Sequence, residues 1–486
     1  MSTVLTVTLV GMVVIAAIGF LGRRKPDGDL SGWATGGRRF GSLTMWFLQA
    51  GETFTTFTFL GMAGLAFTNG VAATYAIPYI PLGTIALYFI GPRVWRLGRR
   101  HRYVTQGDYF EQRYDSKGLS TLVAVVGVVF MLPYLQLQIT GLGEIVLLVT
   151  HNGTSGTWGM VIGTVLTAAF VLWAGIRGAA TTSYFKDAIM LVAVVVVAVA
   201  LPLHFTGGIG HAFHEIAARH PEMLSLQAGD HDRAWWFSSM LSSTIGAGFL
   251  CFPFVWPGLL SAGDERGLRR NWVFGPLYQI ALIMPLVVGF VAILVLAKGT
   301  DGNAALLTLT GKALPQWLVG VIAVGGSAAA MVPAAVMSLG MSTAVARNIV
   351  RIRRPRAQML VNHVTVLVVL GLALVLQLVR PGALANLLLL TYSGIVQVAP
   401  GLVAGLRERP LLHKASVIAG IVAGVAVVVW LTFWKVDVGN VNAGIVGLGA
   451  NLVVAAAVQL LVRRRPVPAE TAGEKTGAER SAVPAN

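Results

Sequence analysis

Thirteen apolar stretches, each close to the length of a bilayer crossing, follow one another along this chain with little between them. They lie near 4–22, 43–67, 71–92, 119–149, 155–176, 184–206, 237–262, 272–297, 315–345, 359–379, 383–406, 414–434 and 442–462. A crossing helix needs roughly 20 mostly apolar residues, and lipid-facing backbone must satisfy its own hydrogen bonds. The expected fold is therefore an all-α polytopic membrane protein of about thirteen helices, with almost no room for a soluble domain. At 55% hydrophobic and 12% charged residues, the same chain in water would expose far more apolar surface than a soluble protein carries. The single cysteine, Cys251, excludes an internal disulfide.

The net charge of +16 is topological and does not mark a nucleic-acid partner. Loops following the odd-numbered stretches hold 30 of the 36 Lys and Arg, and basic residues accumulate on the cytoplasmic side. This predicts an outer N-terminus and a cytoplasmic C-terminus in the cell membrane. Arg23, Arg24 and Lys25 follow the first stretch and none precedes it, the reverse of a cleavable signal peptide, so that helix is expected to be retained. Residues 463–486 turn polar and read as a disordered cytoplasmic tail, too short for an output module. Neither a phosphate-cradling GxxxxGK[ST] nor an HExxH or serine elbow occurs, which disfavours an ATP-driven pump and an enzyme.

Two stretches are interrupted. The second reads GETFTTFTFLGMAG from Gly51 to Gly64, and a carboxylate such as Glu52 in hydrocarbon costs about 2.5 kcal/mol or more. The seventh reads GAGFLCFPFVWPG from Gly246 to Gly258, where Pro253 and Pro257 remove backbone donors. Irregular backbone at membrane depth survives where it lines a cavity. The breaks lie five crossings apart, so a second copy of a five-helix unit runs inverted, and paired breaks of this kind point to a transport site at the midplane. The expected organisation is a peripheral helix and loop over 1–42, a first repeat over 43–206, an outer loop over 207–236, a second repeat over 237–406, peripheral helices over 407–462, and the tail.

The candidate solute lining is rich in hydroxyls and aromatics: Thr53, Thr56 and Thr58, Tyr75 and Tyr79, Tyr134, Gln136 and Gln138, Phe252 and Trp256. Gln136 and Gln138 lie on opposite sides of a helix, so at most one is expected at the cavity. No cationic partner stands out, but a small carboxylate can be held by exposed N–H groups of a broken helix. The histidines of the outer loop, His211, His214, His220 and His231, are irregularly spaced for zinc.

Several stretches together resemble the sodium:solute symporter family, and more closely its monocarboxylate-permease branch. They are WATGGRRFGSLTMWFLQAGETFTTFTFLGMAGLAF from Trp33, IPY from Ile77, RRHRYVTQGDYFEQRY from Arg99, LPYLQLQITG from Leu132, GIRGAATTSYFKD from Gly175, SAGDERGLRRN from Ser261, and MVPAAVMS from Met331 with a following ARN. The resemblance implies a ten-helix inverted-repeat core of the amino-acid-transporter type. It implies uptake of a small solute with a cation by alternating access, the solute being a monocarboxylate such as lactate, pyruvate or acetate, or else an amino acid, vitamin or sugar. No cofactor is implied beyond Na+ or H+ as the coupling ion. The family's sodium site carries over to backbone carbonyls of Gly51, Phe54 and Ala329. Its two hydroxyl positions fall on Val332 and Pro333, whose side chains offer a hard cation no oxygen. Three readings stay open: Ser327 or Ser338 substitutes, Glu52 supplies the oxygen, or the ion is a proton carried by Glu52, whose charged form burial penalises. Glu52 is the leading candidate for the coupling acid.

Overall fold

The computed structural model describes residues 3–22, 28–150 and 153–463, so the expected tail and the Arg23–Lys25 cluster lie outside the described residues. Among those described there is no strand, only an isolated bridge between Phe40 and Ala262. The helices used below are α1 (Thr3–Leu21), α2 (Ser42–Thr53), α3 (Met62–Asn69), α4 (Ala76–His101), α5 (Gln106–Tyr114), α6 (Lys117–Thr150) and α7 (Gly153–Thr206). They continue with α8 (Arg233–Gly248), α9 (Val255–Ser261), α10 (Ile280–Val295), α11 (Gln316–Ala344), α12 (Pro355–Val379), α13 (Leu384–Ile395), α14 (Lys414–Phe433) and α15 (Ala443–Arg463).

Ten helical segments among the described residues are long and apolar enough to cross a bilayer, against thirteen stretches expected. The difference has geometric causes. Phe57–His101 runs 45 residues and Gly156–Thr206 runs 51, about twice what one crossing of roughly 20 residues needs. The second of these turns at Gly175, whose φ of 56° and ψ of −142° are open to glycine and strained for other residues. The interrupted seventh stretch divides into α8 and α9, with 16 and 7 residues, neither of which reaches crossing length alone.

α11 is buried along nearly its whole length and is packed by α1, α6, α7 and α12. Its sequence is dominated by Ala, Gly, Val and Ser, small side chains that let neighbouring backbones approach closely. α14 and α15 pack mainly on each other, at the edge. The segment 207–236, expected as an outer loop, is not a bare loop. It carries a helix, Ile209–Arg219, that buries Ala212 and Ile216 and sets Phe213 against Phe290 of α10, with ring centroids 5.0 Å apart.

α3 meets its neighbours backbone to backbone. A Cβ on Gly64 would lie 2.4 Å from the Gly302 carbonyl oxygen, and one on Gly289 of α10 would lie 2.2 Å from the Ala63 oxygen. At the opposite end of the bundle, Asp108 of α5 accepts from Arg347 Nε at 2.7 Å and from Asn348 Nδ2 at 3.2 Å. Arg351 pairs with Glu111 at 2.7 Å. These contacts tie α5 to the segment that follows α11.

Candidate functional site

Both expected breaks are present, and each has a local cause. α2 ends at Thr53, and Phe54 and Thr55 are non-helical before a π-helical turn, Phe57–Gly61, resumes the span. The freed groups are met by side chains: Thr58 Oγ1 donates to the Thr53 oxygen at 2.9 Å, and the Thr56 N–H donates to Gln138 Oε1 at 3.2 Å. The second break runs from Phe249 to Phe254, with Leu250 at φ 53°, a left-handed conformation that costs a non-glycine residue roughly 1–2 kcal/mol. Its carbonyls are held by Gln106 of α5, whose Nε2 donates to Leu250 O at 2.8 Å and to Cys251 O at 3.1 Å. Trp256 Nε1 also donates to Leu250 O, at 2.9 Å. Pro253 falls inside the break as expected. Pro257 instead lies in the first turn of α9, where its missing N–H leaves no intrahelical bond unmade.

The two breaks face one another. A Cβ on Gly258 of α9 would come within 3.3 Å of Glu52 Oε1. Between them lies a cavity of about 110 Å³, lined among others by Glu52, Thr53, Tyr79, Tyr134, Phe252 and Tyr392. A single water needs about 10–15 Å³ by this measure, so the space admits a small organic ion. Glu52 is 7% exposed and its Oε1 has no hydrogen-bond partner among the described residues. The aromatic wall is continuous: Phe252 lies 5.1 Å from Tyr392 and 5.9 Å from Tyr134, and Tyr79 lies 5.8 Å from Tyr392.

Other candidates serve the scaffold. Thr56 packs on Gly141, Thr58 and Gln138 mend the first break, and Trp256 mends the second; none of the four lines the cavity. Gln136 does not line it either, since its Nε2 donates to Gln377 and to the Arg380 carbonyl. These residues are drawn away because a broken helix leaves orphan donors and acceptors, and an unmet buried polar group costs about 1–3 kcal/mol. Tyr75 is also buried away from the cavity.

At the expected sodium position the fit is partial. Gly51 lies in α2, next to Glu52. Ala329 is buried in α11, and Pro333, four residues on, has no N–H to give its carbonyl. Val332 and Pro333 are buried and bring no oxygen. Ser338 Oγ donates to Ala335 O at 2.9 Å, while Ser327 Oγ is buried without a partner among the described residues. The Phe54 carbonyl accepts from Lys186 Nζ of α7 at 3.1 Å, and Lys186 pairs with Asp187 at 2.8 Å, both side chains buried. Lys186 is one residue that the sequence reading missed, because it was counted with the basic loop after the fifth stretch; Tyr392 of the cavity wall is another. The available signal for Lys186 was its position beside an acid inside an apolar window, where charges occur in pairs.

Comparison with known proteins agrees with this geometry. The family model described as "Sodium:solute symporter family" matches residues 33–403. The chain is 34% identical over 464 residues to the uncharacterized symporter YhjB of Bacillus subtilis, covering 92% of this chain and 94% of that one. It is 28% identical over 491 residues to a protein of Rhizobium johnstonii named a monocarboxylate transport permease, covering 96% and 99%. Among solved structures, a substrate-bound, outward-open Na+-coupled sialic acid symporter aligns with a TM-score of 0.76 over 95% of this chain and 98% of that one, at 16% identity. A nucleobase-cation-symport-1 family transporter aligns with a TM-score of 0.56 at 13% identity, over 92% and 98%. At these identities the two structures speak for the fold, an inverted-repeat transporter core with paired breaks. With family model, full-length relatives and fold in agreement, the chain belongs to the sodium:solute symporter family.

Proposed function

We propose that the chain takes up a small monocarboxylate, such as lactate, pyruvate or acetate, together with a cation, by alternating access in the cell membrane. The observation that carries this reading is the cavity between the breaks, small, walled by aromatic rings and hydroxyls, and holding one acid and no basic side chain in its lining. Tyrosine and threonine hydroxyls donate to a carboxylate, and the size suits a solute of a few heavy atoms. The name of the Rhizobium johnstonii relative supports the same class. Placing an anionic solute beside Glu52 brings two acids together, so a co-transported cation must compensate them. That requirement makes solute and ion enter as a unit.

A second reading follows from the same acid. Glu52 is the only ionisable carboxyl in the lining, which would equally pair with the amino group of a small amino acid. Counterflow of labelled lactate in proteoliposomes, competed by unlabelled pyruvate, acetate and amino acids, separates the two. Competition by monocarboxylates alone is expected, and competition by amino acids alone would overturn the first reading. In the same vesicles Glu52→Gln should abolish accumulation against a gradient; a variant that still concentrates lactate removes Glu52 from the coupling step.

A further inference from the structure

The expected sodium position fits sodium only in part, and what is missing is visible on both sides of it. On α11, the two residues in the hydroxyl positions are Val332 and Pro333, so that helix gives no side-chain oxygen there. On the side of the broken span, the Phe54 carbonyl, in the non-helical turn after α2, accepts a hydrogen bond from Lys186 Nζ at 3.1 Å. The ammonium also pairs with Asp187 at 2.8 Å, and Lys186 has no solvent exposure. The charged groups acting on it are Asp187 on its own helix and Glu52 across the break. α11, packed along α7, contains no ionisable residue at all.

We infer that the ammonium of Lys186 is a built-in cation that takes the place of sodium between the broken second span and α11, so that sodium is not the coupling ion of this symporter. A carbonyl oxygen and a carboxylate make up a coordination set that a hard cation would use, and here a lysine takes both. Its three donors need oxygens in fewer directions than a sodium ion does, which is consistent with the missing hydroxyls of α11. A sodium ion arriving at the same carbonyl would meet a fixed positive charge. The loss of oxygens on one helix and the arrival of an ammonium from another are then one change. Glu52 lies on the cavity side of the same break and remains the acid that faces the solute and its cation.

The inference rests on the reading of the chain as a cation-coupled symporter, and its test is arranged so that the two can fail separately. Purified protein in detergent is unfolded thermally in sodium chloride and in choline chloride, a measurement that needs no knowledge of the solute. The wild-type midpoint should be the same in both salts at equal ionic strength. Lys186→Ala leaves the Phe54 carbonyl and Asp187 facing a space of one positive charge. Its midpoint should rise in sodium over choline, and its counterflow, lowered about tenfold or more in choline, should recover with sodium. Because removing one partner of a buried pair is strongly destabilising, the double variant Lys186→Met with Asp187→Asn serves as the folded control, neutral at both positions and indifferent to sodium. Sodium-dependent stabilisation or sodium-driven accumulation by the wild type would overturn the inference. So would a Lys186→Ala protein that is active in choline and indifferent to sodium. Absence of lactate, pyruvate and acetate counterflow would remove the proposed substrate class while leaving the salt comparison to answer for Lys186.

Discussion

Gly258 of α9 lies beside Glu52, which lines the cavity, so a side chain added at 258 presses on the acid that faces the solute. A Cβ at position 258 would lie 3.3 Å from Glu52 Oε1, so a methyl group there needs the carboxylate to give way slightly and a branched side chain needs more. Gly258→Val should therefore raise the KM for solute about tenfold, equivalent to about 1.4 kcal/mol, with Gly258→Ala in between. Initial uptake rates over a range of solute concentrations check this, and unchanged KM in both variants would place the solute elsewhere. A second residue reports on the segment between the two repeats. His231 Nδ1 lies 2.7 Å from Asn69 Nδ2, and burial holds its imidazole below the usual 6.5 against the opposing pull of Asp230. As an acceptor from the amide, the ring must be neutral at that nitrogen. The folded value is depressed, so the stabilisation is complete above 6.5 and is lost as pH falls through the lower folded value. Thermal unfolding midpoints should drop over that window in the wild type and less in His231→Gln.

The two broken spans are mended in the same manner, by side chains sent from helices outside the break. Gln138 and Lys186 serve the first, and Gln106 serves the second. Removing Gln106 orphans the buried Cys251 carbonyl and leaves that of Leu250, a residue already in a left-handed conformation, with Trp256 Nε1 as its remaining donor. Gln106→Ala should destabilise the protein by about 1–3 kcal/mol, read as a lower midpoint of thermal unfolding. The positions of the breaks were legible in the sequence, because Glu52, the threonine run, Pro253 and the glycines each carry a local cost in an apolar helix. What mends the breaks was not. Gln106 and Lys186 are 144 and 132 residues distant from the carbonyls they reach, and no local pattern announces a contact at that separation. Thr53 lines the cavity, while Thr56, Thr58, Gln136 and Gln138 lie off it, and the sequence does not separate the two cases, since a polar side chain in a membrane helix can serve either the cavity or a neighbouring backbone.

At the scale of the whole molecule, the fold was readable because the bilayer restricts the answer to helices of one length and the family motifs occur in order. The number of helical segments was less readable, since a helix that turns without ending, as at Gly175, merges two crossings. Orientation is a separate expectation from charge, with the N-terminus outside. Cys251 is buried, so single cysteines introduced elsewhere can be labelled over a low background. A cysteine at Lys298, exposed in the segment after α10, should react with an impermeant maleimide in intact cells. One at Arg353, exposed between α11 and α12, should react only after permeabilisation; the opposite pattern would invert the topology.

The glycine contacts of α3 carry a mechanical consequence. Where Gly64 meets the Gly302 carbonyl and Gly289 meets that of Ala63, neither glycine has a side chain to lodge in the facing element. Interlocked surfaces resist translation until every knob has cleared its hole, whereas bare backbones offer each other little corrugation. At these two points α3 therefore meets its neighbours without an interlocking side chain, and small sliding of packed helices is one of the ways such cores change state. A large side chain at Gly64 or Gly289 would act as a brake on that surface, at a distance from the solute and without touching it.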